Sequence, residues 1–246
     1  MTTQKIRSVF RMKDKKFLTP HLIRTVFEID DHQAELLASV RSGSNNKIFI
    51  PHSAEEHDVS VRTYTNRKID LEARELTVDF VSHGDNGPAS AWALQAVPGD
   101  TLEIGMKQSA RPLVPEADFY LLVGDATALP VICAIAEQLP SYVTAKIILE
   151  VHGKEDELIV CSAADISVEW LYNPQPEKES HLAEQVRKTE FPQGILKEYV
   201  YIAAEYTTVH ELRHYFRTTM QWDPHGLYAC SYWRAGQSED EHSEKG

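Results

Sequence analysis

The chain has 246 residues, with 25 Lys and Arg against 37 Asp and Glu, a formal net charge of −12. That balance excludes the broad basic face that nucleic-acid binding requires, and any anionic ligand must find a local cluster of cations. Hydrophobic residues make up 42%, enough for one large core or two smaller ones, and no apolar run is long enough to insert in a membrane.

The N-terminal stretch Lys5 to Lys16 is strongly charged and leads into Phe17-Leu18-Thr19-Pro20 rather than an apolar signal core, which points to the cytoplasm. Short strand-like runs follow at Thr25–Ile29, Lys47–Ile50, Ser60–Tyr64, Leu76–Val81 and Thr101–Ile104, with His32–Ser42 as a short helix or loop excursion. Regularly spaced short strands with few helical patterns suggest a β-barrel. The character changes at Pro112-Leu113-Val114-Pro115. Beyond it strands at Phe119–Val123, Lys146–Val151, Ser167–Leu171, Tyr199–Ala203 and Leu227–Tyr232 alternate with helical patterns. Thr127 is the expected N-cap of the first helix, and Thr208 with Glu211 the expected capping box of the last. Alternating βαβ units imply a mostly parallel sheet with helices on both faces. The expected domains are 1–115, an antiparallel β-barrel, and 116–246, an α/β domain of nucleotide-binding type with a C-terminal tail.

Four segments carry chemistry. In Arg62-Thr63-Tyr64-Thr65, strand alternation puts Arg62 and Tyr64 on one face, an anion clamp beside a stacking surface. That pairing suits a nucleotide with a phosphate and a flat ring, such as a flavin. His83-Gly84-Asp85-Asn86-Gly87-Pro88-Ala89-Ser90 combines a turn that lets backbone N–H groups approach an anion with a helix start aimed at the same anion. Gly124-Asp125-Ala126-Thr127 lies where a strand meets a helix in the α/β domain, the usual ligand position in such sheets, although it is not Gly-x-Gly-x-x-Gly. Tyr232-Trp233-Arg234 ends the last strand, where it either caps a core edge or covers a planar ligand. The three cysteines, Cys133, Cys161 and Cys230, lack metal-ligand spacing. Gly-x-Ser-x-Gly and P-loop patterns are absent from the sequence, which favours cofactor chemistry over side-chain chemistry.

Taken together these segments resemble the siderophore-interacting proteins, FAD-containing ferric-siderophore reductases of the ferredoxin–NADP reductase superfamily. Arg62 to Thr65 matches the family's Arg-x-Tyr-Thr flavin motif, and Asp79 to Ala93 its flavin-phosphate segment. Gly124 to Pro130 is similar to its Gly-Asp-Glu-Thr-Ala-Leu-Pro block, and Tyr232 to His242 to its C-terminal tail. Ala126, Ser231 and Ala235 depart from the usual Glu, Gly and Arg.

The resemblance implies a Greek-key barrel that binds FAD through Arg62, Tyr64, Thr65, Asp79, Val81, His83, Gly84, Gly87, Ala89 and Ser90, with Thr127 and Trp233 contributing from the second domain. Gly124, Asp125 and Ala128 would line a nicotinamide-nucleotide side. No side chain would be catalytic and no resident metal is expected. The implied reaction takes electrons from NADH, NADPH or a ferredoxin and passes them through FAD, singly, to Fe(III) in a ferric siderophore. The absence of a Lys or Arg cluster after the first helix leans against NADPH. Because ferric siderophores are often anionic, Lys47, Arg234 and Lys245 are the candidate substrate cations. The alternatives are a non-enzymatic siderophore-binding or iron-sequestering module and a general flavin or ferredoxin reductase.

Overall fold

The computed structural model describes residues 5–51, 59–82, 87–108, 112–194 and 197–237. The chain divides between Leu113 and Val114 into two compact units, each with its own sheet.

The first unit contains β1 (Lys5–Thr19), β2 (Leu22–Glu28), α1 (Asp31–Leu37), β3 (Asn45–Pro51), β4 (Val59–Thr65), β5 (Lys68–Asp70), β6 (Glu75–Val81), α2 (Pro88–Gln95) and β7 (Thr101–Lys107). The strands form one antiparallel sheet in the order β4-β3-β7-β1-β2-β6-β5. β4 and β5 sit at opposite edges, yet only Asn66 and Arg67 separate them in sequence. A flat sheet of this width would span about 29 Å at 4.8 Å per spacing. Three residues of extended chain reach about 11 Å at most. The sheet must therefore curl until its edges meet, and a barrel results. Asn66 pins the closure: its side chain bridges Asn46 and Ser44, and its backbone bonds Gly43 and Ser44. Phe10, Ile23, Phe27, Ile48, Leu76, Val78, Phe80 and Ile104 fill the interior.

The charged N-terminal stretch is itself a strand. In β1 Ile6, Phe10 and Met12 turn inward while the Lys and Arg residues face out. A β-bulge between Met12 and Asp14 interrupts the register with β2, so the alternation that marks a half-buried strand is broken midway.

The second unit contains β8 (Phe119–Asp125), α3 (Leu129–Ala136), β9 (Thr144–Val151), β10 (Asp165–Tyr172), α4 (Leu182–Arg187), β11 (Glu198–Glu205), α5 (Tyr206–His214) and β12 (Leu227–Trp233). The sheet order is β10-β9-β8-β11-β12, and every pairing is parallel. The central β8 is buried along its whole length, as a strand covered on both faces must be. α4 and α5 pack over Phe119, Leu121, Val123, Val200 and Ile202. α3 lies on the opposite face, where Gly124 meets Ala128 and Ile132. The chain runs from β8 outward through β9 and β10, then returns to β11 on the other side of β8. The topological switch point therefore lies between β8 and β11.

Both expected caps move. A 3₁₀ turn, Ala126–Ala128, precedes α3, and Asp125 rather than Thr127 accepts its first amide. Glu205 rather than Thr208 caps α5, accepting from Thr207 and Thr208 N–H. In both cases the last residue of a strand carries a carboxylate long enough to reach back to the helix start. The two-domain fold, a β-barrel followed by a parallel α/β sheet, is the one expected from the sequence.

Candidate functional site

In the barrel unit the flavin-type segment lies on β4, an edge strand. Ser60, Arg62 and Tyr64 share the face of Ile50, Ile48 and Asn46, their cross-strand partners on β3. Arg62 and Tyr64 stay half-buried, while Ser60 and Thr65 are buried. The Tyr64 ring leans on Phe80 of β6, with centroids 4.6 Å apart. Phe80 in turn contacts Trp92 of α2 at 5.6 Å, and Trp92 stacks on Phe27 at 6.3 Å. This chain of rings fixes β4 to α2 through the core, and such contacts contribute beyond their buried area. Beside Tyr64, Asn46 donates to Asn66 Oδ1, while its own carbonyl oxygen is buried with no hydrogen-bond partner among the described residues.

α2 begins at Gly87, which has no side chain to cap the first turn, followed by Pro88, which has no N–H. Ala89 and Ser90 are buried behind them. Lys15 closes the other end of the helix, its ammonium donating to the carbonyls of Ala93 and Leu94 at 3.1 and 2.9 Å. A helix fixed in this way, with a cation at its C-terminus, presents the positive end of its dipole at Gly87. His83 and Gly84 lie outside the described residues.

Asp79 faces away from the Phe80 side of β6. Arg24 grips it through two hydrogen bonds of 2.7 Å, and Arg67 Nε lies 3.9 Å from the same carboxylate. Asp79 is only 3% exposed. A bidentate pair of this kind fixes geometry as well as charge. The carboxylate thus holds two arginines next to the closure at Asn66, and Val81 follows on the same face, half-buried.

In the α/β unit the carboxyl ends of β8 and β11 carry a pair of buried acids. Asp125 Oδ1 accepts from the amide and hydroxyl of Thr127 at 2.9 and 2.5 Å. Its Oδ2 accepts from Glu205 N–H at 2.9 Å and from the Trp233 indole at 2.7 Å. Burial pushes the Asp125 carboxyl up, and the hydrogen bonds from Thr127, Trp233 and Glu205 oppose that shift. Glu205 caps α5 and also accepts from Ala235 N–H at 3.3 Å. Arg234 stacks its guanidinium over Tyr206, 4.4 Å from the ring centroid.

Sequence-expected residues therefore fall into distinct groups. Arg62 and Tyr64 share a face, and Gly87, Ala89 and Ser90 open the uncapped helix. Lys47 projects to the opposite face of β3, where its ammonium donates to Thr63 Oγ1. Thr127 and Trp233 meet, both on Asp125. Gly124 and Ala128 meet each other as packing partners, and Ala128 is fully buried. Lys245 and the acidic tail lie outside the described residues. Sequence reasoning missed Asn46, Arg24, Arg67, Phe80, Trp92 and Glu205. Only Arg24 and Phe80 carried a signal, as opposite-charge and aromatic residues on strands at matched spacing. Cys133 is buried, Cys161 exposed and Cys230 half-buried, all as free thiols. No helix among the described residues is long and apolar enough to cross a membrane.

Comparison with known proteins adds five findings. Residues 51–109 match the family model of the siderophore-interacting FAD-binding domain, and residues 117–236 that of the siderophore-interacting protein. Ferric vibriobactin reductase ViuB of Vibrio cholerae is 28% identical over 94% of this chain and 90% of its own. The siderophore-interacting protein SipS from Aeromonas hydrophila superposes with a TM-score of 0.83 at 30% identity, over 97% of this chain and 95% of that one. A ferredoxin–NADP+ reductase from Plasmodium falciparum shares the fold, with a TM-score of 0.71 at 11% identity over 94% of this chain and 100% of that one. The barrel unit is thus an FAD-binding domain. The residues present fit that group, since an arginine, a braced tyrosine, an orphaned buried acceptor and an uncapped helix start suit an anion joined to a flat ring.

Proposed function

Because the chain belongs to the siderophore-interacting protein family, we propose that it is an FAD-dependent reductase of ferric siderophores. It takes electrons from a reduced pyridine nucleotide or a ferredoxin and releases Fe(II) in the cytoplasm. One observation carries the reading: the ring chain Tyr64-Phe80-Trp92, which joins the Arg-x-Tyr-Thr strand to a helix start that no side chain among the described residues caps. FAD supplies the redox step, accepting a pair of electrons and giving them up singly to iron.

The chain's own residues bind and orient. Arg62 pairs with the FAD phosphate, and Tyr64 packs on the ring system with Phe80 behind it. Thr65, buried at the end of β4, would help hold the ring system, while Gly87, Ala89 and Ser90 would offer the start of α2 to the pyrophosphate. Asp79 acts at one remove by holding Arg24 and Arg67. In the barrel unit, Lys47 would be the cation that attracts an anionic ferric siderophore. Hard oxygen chelators hold Fe(II) less tightly than Fe(III), so reduction alone frees the metal and no acid or base need touch it.

The test uses chemically reduced, FAD-loaded protein mixed anaerobically with ferric siderophores in a stopped-flow instrument, with a ferrous chelator present. Reoxidation of the flavin should coincide with trapped Fe(II), two irons per flavin. Reoxidation no faster than that of free reduced FAD would refute the reading. Failure of these chelates alongside rapid reoxidation by protein acceptors would make the chain a general reductase.

A further inference from the structure

The outer face of α5 carries a pattern that electron transfer does not use. Its last five residues read His210-Glu211-Leu212-Arg213-His214. Residues four apart on a helix are neighbours, with Cβ atoms about 5–6 Å apart. Two imidazoles at that spacing can grip one metal ion from one side. Val209, Leu212 and Phe216 are fully buried against the sheet, while His210, Glu211 and His214 are exposed.

The row extends at both ends. Tyr206, His210, His214 and Thr218 follow at steps of four, the last in the π-helical turn Tyr215–Thr219 that continues α5. Tyr206 stacks beside His210, with centroids 6.1 Å apart and planes inclined by 23°. Thr218 Oγ1 lies 3.4 Å from His214 Nδ1. With Nδ1–H donating to that hydroxyl, Nε2 carries the lone pair for a metal, which is how metal-ligating histidines are ordinarily held. Each imidazole is thus braced by the outer member of the row next to it. In metallopeptidases the glutamate of this motif is the general base. Here Arg187 pairs with Glu211 and also lies over Tyr215, 5.8 Å from the ring centroid, so that acid is engaged. Among the described residues no third His, Cys, Asp or Glu donor groups with the pair, so water would complete the coordination. Of the nearby cations, Arg213 turns to the Ala229 carbonyl at 2.6 Å and Arg234 lies over Tyr206. Arg217 is exposed and opposes a dication weakly, through water of high dielectric.

We infer that His210 and His214 form a two-imidazole surface site for a borderline divalent transition ion. Nitrogen donors of this kind rank Cu(II) first and Fe(II) well below it, so the site does not retain the iron that reduction releases. Both ligands belong to the α/β unit, whereas Arg62, Tyr64 and the start of α2 belong to the barrel unit. The site therefore stands or falls independently of the flavin and of the reductase reading.

The test is titration of the FAD-loaded protein, free of any affinity tag, with Cu(II), followed by electron paramagnetic resonance. Oxidised FAD contributes no signal. One Cu(II) per chain should bind in a saturable step, with hyperfine splitting from two nitrogens. His210→Asn and His214→Asn should each weaken that step at least about ten-fold, and the double variant should lose the two-nitrogen signal. Because both side chains are exposed, flavin content and melting temperature without metal should match the parent. Thr218→Val removes only the oxygen that braces His214, so it should weaken binding and keep the count of two nitrogens. Undiminished two-nitrogen binding in the double variant would place the ion on other histidines and overturn the assignment. A parent spectrum showing one nitrogen or none would overturn it as well.

Discussion

A Cβ added at Gly124 would lie 2.5 Å from Ala128 Cβ, 2.8 Å from Ile132 Cδ1 and 3.0 Å from the Ala203 carbonyl oxygen. The glycine is demanded by the packing of α3 on β8 and β11. In the sequence it stands in a strand-to-helix turn where a glycine also permits close approach of a ligand, and the two demands look alike there. Gly124→Ala should destabilise the protein by about 1–3 kcal/mol, the usual cost of overpacking. Adding Ala128→Gly removes the shortest of the three contacts, so the double variant should recover part of the loss. Urea denaturation of the single and double variants measures both, and an unaffected midpoint in Gly124→Ala would show that α3 shifts freely. Arg62 and Tyr64 were legible because two residues in one strand share a face by alternation alone. Glu205 and Asn46 were not, because each acts on residues brought near by folding: Ala235 lies 30 positions from Glu205, and Asn66 lies 20 from Asn46.

At the scale of elements, β11 and β12 carry a row of tyrosines on the face opposite α5. Tyr201 stacks on Tyr228, with centroids 4.7 Å apart, and its hydroxyl lies 3.1 Å from that of Tyr232. Burial pushes the Tyr201 phenol well above its ordinary value of 10.0, with the neighbouring Tyr232 and Tyr228 adding to the shift. Tyr228 is raised as well, first by burial and then by Cys230 and Tyr232. A phenol raised in the folded state favours its neutral form. Its contribution to stability is whole below the unfolded value of about 10 and is lost as pH climbs through the folded value. Titration at the tyrosinate absorbance should therefore show a class of phenols that ionise late or only on unfolding. Tyr201→Phe should shrink that class, and its melting temperature relative to the parent should rise between pH 8 and pH 11. A relative melting temperature independent of pH would refute the linkage. These strands were legible as apolar runs, and their edges fall within two residues of the expected ones. β1 was not legible, because its outward face is so charged that the alternation of Ile6, Phe10 and Met12 is masked and a bulge shifts it. β5, three residues long, carries too few positions to show a period.

Over the whole molecule, the order of barrel and α/β sheet was visible because the hydrophobic pattern changes period near Pro112-Leu113-Val114-Pro115. The structural division falls between Leu113 and Val114. Closure of the barrel was not visible, since it depends on which strands become edges, and that is decided by pairings between residues far apart in sequence. Each unit has its own apolar core, one built from residues between Ile6 and Met106 and one from residues between Phe119 and Phe216. The residues that fit the flavin most directly, Arg62, Tyr64, Thr65 and the start of α2, all belong to the first. A ligand that binds one folded unit stabilises that unit by mass action, about 2.7 kcal/mol at a free concentration 100 times the dissociation constant. For a domain of this size that corresponds to a shift of roughly 10 to 20 °C. Calorimetry of the FAD-free and FAD-loaded protein should therefore resolve two transitions, of which FAD moves one by that amount. Tyr64→Ala, which removes the ring braced by Phe80, should shrink the shift and leave the second transition in place. A single transition moved as a whole would mean that the two cores unfold together and that the flavin's binding energy is shared between them.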